Sequence, residues 1–169
     1  MIQDFAYFEQ GIDRISRQLP GMPQDRVVLN RLFFFVFKEL DEIYNRHLAE
    51  FGLNTSSFLA LAMLMSCEND RLNPCNLSNA LIASRTNVTR LADELVGAGW
   101  VERHPSTEDR RRVDLTLTET GRTLVLKVLP KVWKLIENQW SDFSREEVVQ
   151  FDYLLRKMLG GLNRLKEDA

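Results

Sequence analysis

Phe5, Phe8, Ile12, Ile15 and Leu19 follow one another at spacings of 3, 4, 3 and 4 residues. That is the period of one helix face, and so apolar a face needs a partner surface. Pro20, Gly21 and Pro23 close this helix. A longer helix is predicted from about Gln24 to Phe51, with Gly52 as its stop. Phe33, Phe37, Leu40, Tyr44, His47 and Phe51 share one stripe of it, and Leu29, Leu32, Phe35, Val36 and Ile43 carry the apolar surface nearly all round. Burial on more than one side is therefore expected. Asn54 or Thr55 caps a third helix, with Phe58, Leu61, Ala62 and Met65 as its inner face. Asn73-Pro74, N-cap and first helical residue, opens a short helix to Ile82 that buries Leu77, Ala80 and Leu81. Ser84 caps the next, Arg85–Ala98, with Val88, Leu91, Leu95 and Val96 inside and Gly97 and Gly99 at its end.

The period then changes. Trp100–His104 and Val113–Leu117 alternate as strands do, with Val113, Leu115 and Leu117 on one face, and polar residues 105–112 form the hairpin tip between them. Thr118 opens a long helix carrying Val125, Val128, Leu129, Val132, Ile136 and Trp140; Pro130 inside it predicts a kink. Ser144 and Glu147 have capping-box spacing. The last helix carries Val148, Phe151, Leu155, Met158, Leu162 and Leu165 at spacings of 3, 4, 3, 4 and 3, a short coiled-coil-like seam. The fold class is mostly α with a small β-hairpin: a winged helix-turn-helix domain at 52–120, between N-terminal helices at 1–51 and C-terminal helices at 121–169. Neither terminal seam has an obvious partner within the chain. Pairing across a two-fold axis would bury both, which assigns Phe5, Phe8, Ile12, Ile15, Phe151, Leu155, Met158 and Leu162 to a homodimer interface.

Composition narrows the function. A net charge of −2 excludes a generally basic nucleic-acid binder. Residues 71–112, however, hold seven arginines against five carboxylates, so positive charge concentrates there. Cys67 and Cys75 stand eight positions apart, form no CxxC and have two histidines in the whole chain to join them, so no metal site or cofactor is expected. Asp4 and Glu9 interrupt the start, which argues against a signal peptide. The longest uncharged stretch, Phe51–Cys67, holds Gly52, Asn54, Thr55, Ser56 and Ser57 and reads as a capped core helix rather than a membrane span. A cytoplasmic protein follows. His47 and His104 fall on different elements and meet no Ser or Cys motif, so an enzyme is not expected.

The order helix, tight turn, helix, hairpin carries the functional reading. On the second helix of the pair Arg85, Thr86, Asn87, Thr89 and Arg90 crowd the first two turns, opposite the apolar face. These side chains suit a major groove: arginine pairs with guanine, asparagine with adenine, and threonine serves phosphate or the thymine methyl. A solvated helix face explains them equally well until the hairpin is added. There Asp109 is followed by Arg110, Arg111 and Arg112, guanidinium groups that repel one another unless an anion neutralises them, as the phosphates of a narrow groove do. Asp109 can hold one of them by a bidentate pair.

Residues 84–103, followed by Asp109-Arg-Arg111 and Leu115-Thr-Leu-Thr-Glu-Thr-Gly121, resemble the MarR family, including its Asp-x-Arg wing and Leu-Thr-x-x-Gly junction. The resemblance covers about residues 27–165 and is most similar to the multidrug-efflux repressor subgroup. It implies a homodimeric winged-helix transcription regulator on double-stranded, near-palindromic operator DNA, with Ser84 among the DNA-binding residues. It also implies repression relieved by small aromatic or lipophilic acids. Aromatic concavities between helices are common ligand sites, which puts Phe33, Phe37, Tyr44, His47 and Phe58 forward as effector-binding residues. His47 on an apolar stripe reads more readily as a packed, hydrogen-bonded core residue than as a ligand. Peroxide-sensing members carry a reactive cysteine near the position of Phe33; no thiol stands there. The alternatives are a winged-helix protein-interaction module, or an activator without ligand control.

Overall fold

A computed structural model of the chain describes residues 2–81, 85–106 and 113–167. The chain divides into two compact units, Met1–Val125 and Leu126–Ala169. The first runs α1 (Ile2–Gln18), α2 (Gln24–Leu48), a 3-10 turn (Ala49–Phe51), α3 (Thr55–Ser66), a second 3-10 turn (Glu68–Asp70), β1 (Arg71–Leu72), α4 (Pro74–Ala80), α5 (Arg85–Gly97), β2 (Val101–Pro105) and β3 (Val113–Leu117). Helix α6 (Glu119–Gln139) begins in it, and α7 (Arg145–Glu167) belongs to the second.

The seam of α1 finds a partner within the chain, contrary to the expectation from sequence. Phe5 and Phe8 meet Phe35 of α2 at ring-centroid distances of 5.6 and 6.4 Å, the Arg31 guanidinium lies 4.4 Å over the Phe8 ring, and Ile12 is buried. Of the four α1 residues assigned to a dimer interface, Ile15 alone is exposed. The second correction concerns α2 itself. Its spacing predicts burial on several sides, yet Leu48 is its one fully buried residue, and Leu29, Phe33, Phe34, Val36 and Phe37 stand in solvent. One face of α2 packs on α1; the aromatic stripe opposite is exposed among the described residues.

Both predicted glycine stops have a physical reason. Gly52, at φ +71°, donates to Ala49 O (3.0 Å) while Leu53 donates to Leu48 O (3.1 Å). Gly99, at φ +74°, donates to Val96 O (2.9 Å) while Trp100 donates to Leu95 O (3.1 Å). In each case a left-handed residue satisfies the last carbonyls of a helix, a conformation that glycine adopts without steric cost. Asn54 caps α3 with a reciprocal pair: its side chain accepts from Ser57 N (2.8 Å) and its own N–H donates to Ser57 Oγ (2.8 Å). Asn45 Oδ1 accepts from Thr55 N at 2.8 Å and ties the α3 start to α2. The inner face of α3 is Ser57, Phe58, Ala60, Leu61 and Leu64; Ala62 and Met65, placed inside by spacing, are only half-buried.

The sheet has three antiparallel strands in the order β1-β3-β2, one more than the hairpin read from sequence. In register, Arg71 faces Thr116, Leu72 faces Leu115 and Arg103 faces Leu115 from the other side. The expected face of β3 holds for Leu115 and Leu117 but not for Val113, which is exposed, while Asp114 is buried. Arg71 Nε at 3.9 Å and Asn73 Nδ2 at 3.5 Å attend the Asp114 carboxylate, as a buried charge requires.

The junction into α6 rests on three bonds. Thr118 N donates to Trp100 O (3.0 Å), Thr118 Oγ1 donates to Gly99 O (2.8 Å), and the same Oγ1 accepts from Gly121 N (3.0 Å). A Cβ on Gly121 would collide with the Trp100 carbonyl oxygen and lie 2.8 Å from Leu117 Cδ1. The Leu-Thr-x-x-Gly spacing is therefore a clamp that presses the α6 start onto the base of the hairpin. Arg122 then pairs with Asp70, which sits at φ +53° beside β1.

In the second unit α6 continues through Pro130, with Val128 and Val132 buried. The Ser144–Glu147 capping box forms as read, with Ser144 N on Glu147 Oε2 (2.8 Å) and Glu147 N on Ser144 Oγ (3.2 Å). Trp140 packs edge-on against Phe143 and Phe151, with centroids 5.2 and 5.6 Å away. The rest of the α7 seam is open to solvent. No single described helix is long and apolar enough to cross a membrane.

Candidate nucleic-acid interface

The two short helices α4 and α5 pack on one another and the β2–β3 hairpin follows directly. Helix α5 is sharply two-faced. Val88, Leu91, Ala92 and Leu95 are buried, whereas Thr86, Asn87, Thr89, Arg90 and Asp93 are exposed. Ala92 takes the inner place given to Val96 by spacing; Val96 is half-buried. The buried row anchors the helix to the core and so presents the polar row as a fixed surface.

Four of the proposed DNA residues thus share one outward face: Thr86, Asn87, Thr89 and Arg90. Arg85 begins α5, and its side chain is outside the described set. Ser84 and the wing residues Asp109, Arg110, Arg111 and Arg112 lie outside the described residues. The strands that carry the wing are described, and their Val101–Leu117 to Pro105–Val113 register fixes its base.

Two ion pairs on this surface go beyond what the sequence singles out. Arg90 Nη1 bonds Glu94 Oε1 one turn further along α5. Arg103 Nη2 on β2 bonds Asp93 Oδ1 at 2.7 Å, joining α5 to the hairpin. The i,i+4 spacing signals the first; the second links residues ten apart on different elements and needs the fold.

Among the described residues the proposed effector residues differ in burial. Phe33 and Phe37 are exposed on α2, whereas Phe58 is core. Tyr44 is half-buried, and burial pushes its phenol above the ordinary value near 10.0. His47 is not the packed core histidine expected; it is exposed and its Nδ1 lies 2.8 Å from Ile43 O of its own helix. A polar cleft of about 350 Å³ lies elsewhere, with Asp41 and Asn45 of α2, Ser56 of α3 and Asn87, Arg90 and Glu94 of α5 among its walls.

A helix pair with a polar outward face, followed by an antiparallel hairpin clamped to the next helix, defines a winged helix-turn-helix protein. The MarR family profile matches residues 53–113. The chain is 37% identical to the transcriptional repressor MprA of Escherichia coli K12 over 100% of its own length and 96% of that protein's. It is 29% identical to the Escherichia coli regulator PapX, over 83% of this chain and 85% of PapX. Among solved structures, a single-residue mutant of Escherichia coli MarR complexed with operator DNA superposes with a TM-score of 0.74 at 27% identity, covering 82% of this chain and 98% of that one. The chain belongs to the MarR family of transcriptional regulators.

Proposed function

We propose that this protein is a homodimeric repressor whose two α5 helices enter successive major grooves of a near-palindromic operator, and that small aromatic or lipophilic acids relieve its binding. The observation that carries the DNA reading is the exposed row Thr86, Asn87, Thr89 and Arg90 over the buried row Val88, Leu91 and Leu95. In this reading Arg85, Thr86, Asn87 and Arg90 read bases or hold phosphates, and Ser84 and Thr89 hold the backbone. Arg110, Arg111 and Arg112, with Asp109 stiffening them, reach the minor groove. Half-sites would lie one helical turn apart, about 34 Å.

The dimer reading is supported by apolar surface left open by a single chain. Leu155, Met158 and Leu162 on α7 and Ile15 on α1 are exposed, as is the stripe Leu29, Phe33 and Phe37 on α2. So much apolar surface is uncommon on a monomer. A second copy laid on the α2 stripe would turn Phe33, Phe37 and Tyr44 into the wall of an enclosed aromatic site, which is where the effector reading rests. Phe58 would support that wall from the core, and His47 would stand at its edge.

Footprinting on the DNA upstream of the protein's own gene tests the first part. A protected near-palindrome with half-sites one turn apart is expected; no protection at any upstream sequence would refute it. Anisotropy titrations of that operator with salicylate-like acids and phenolic uncouplers test the second. A tenfold loss of affinity needs about 1.4 kcal/mol of differential binding; an unchanged affinity across the panel would remove ligand relief.

A further inference from the structure

Arg90 is exposed on the outward face of α5, and Glu94, also exposed, holds its Nη1. A guanidinium offers five donors in a planar fork. The bond to Glu94 uses Nη1 and leaves Nε and Nη2 outside it. We propose that Glu94 is a positioning and specificity-determining residue: it holds Arg90 in one orientation for a base edge and cancels the charge that would otherwise bind any phosphate. This rests on the reading that Arg90 contacts DNA.

Two physical effects separate correct from incorrect DNA. Sequence-independent binding is driven by charge, since each phosphate neutralised releases counterions. An arginine already paired with a carboxylate supplies little of that drive. Binding to a guanine edge depends instead on the placement of two donors, and a carboxylate that fixes the fork lowers the ordering cost of making them. Glu94 thus weakens attachment to arbitrary sequence and leaves the base contact intact. Were the ion pair to break on every encounter, its loss would weigh on operator and non-operator DNA alike and no discrimination would result. The proposal therefore requires the pair to persist in the operator complex.

The test measures affinity for the footprinted operator and for a scrambled duplex of equal length, across a salt series. The proteins are wild type, Glu94→Gln, Arg90→Ala and the double variant. Glu94→Gln should raise affinity for scrambled DNA about three- to tenfold, with a salt slope larger by roughly one phosphate contact per protomer. Operator affinity should rise less or fall, so the specificity ratio drops. On the Arg90→Ala background the Glu94→Gln effect should vanish. The proposal is overturned by an unchanged or improved ratio, by an undiminished effect without Arg90, or by loss of operator affinity alone, which would make Glu94 itself a base reader. Arg90→Ala tested singly judges the underlying reading: unaltered operator binding by that variant removes the α5 contact whatever Glu94→Gln shows.

Discussion

On α5 the apolar side chains Val88, Leu91, Ala92 and Leu95 are 1–6% exposed, while on α7 the stripe Val148, Phe151, Leu155, Met158, Leu162 and Leu165 is 36–66% exposed. Both helices are amphipathic by the same criterion of spacing. Helix α5 packs against α3, α4 and β2, elements whose Leu61, Leu64, Leu77 and Val101 are buried. Among the described residues the α7 stripe is exposed, with Trp140 packed against Phe151 near its start. Periodicity therefore identifies a face that must be buried, and says nothing of whether the covering surface comes from the same molecule.

The largest effect expected from this contrast is on assembly. Aspartates at Leu155 and Leu162 together place two charges in a face that is apolar and open in one chain, so the helix can keep them hydrated as a monomer. If the proposed dimer closes over this face, sedimentation should show it lost and operator binding lost with it, with helical content retained. An unchanged dimer would mean that α7 is surface and that the copies join through α1 and α2. The reverse holds on α5: Leu95→Ala removes a side chain already sealed by its own chain and should cost about 2–5 kcal/mol. That loss should appear in the unfolding free energy of the monomeric background as fully as in the dimer. If the loss appears in the dimer alone, α5 is not finished within the chain.

A smaller effect probes the clamp between the hairpin base and α6. Gly121→Ala sets a methyl group against the Trp100 carbonyl oxygen, a backbone atom with little room to give. Overpacking of this kind costs about 1–3 kcal/mol. Denaturant midpoints check it, and a neutral result would mean that the close approach is relieved by a shift of the α6 start.

How far the chain is legible follows from the same contrast. Spacing locates every long helix, and the stop at Gly99, the α3 cap, which the structure gives to Asn54 rather than Thr55, and the box at Ser144–Glu147 rest on local residue types whose partners are three to five positions away. Strand β1 escapes a reading by pattern because two residues carry no alternation, and it exists only by pairing with β3 far along the chain. Asp114 is hidden for the same reason: its burial is made tolerable by Arg71 and Asn73, more than forty positions earlier. The α1 seam reads correctly as a face and wrongly as unpartnered, since periodicity cannot name Phe35 as its neighbour. The outward polar row of α5 is legible from Thr86 to Arg90. The carboxylates that hold Arg90 and Arg103 do not stand out, although Glu94 has the spacing that makes such a pair.

The most direct test of the central claim, that α5 carries the operator contact, is the anisotropy titration of the footprinted operator with wild type and Arg90→Ala at matched salt. Removing a base contact should cost about 1–3 kcal/mol per half-site and relax sequence preference at one position in each, while removing a phosphate contact should lower the salt slope by about one unit per protomer. Either result, with dimer and melting temperature unchanged, upholds the account. Full operator affinity, preference and salt slope in Arg90→Ala would contradict it.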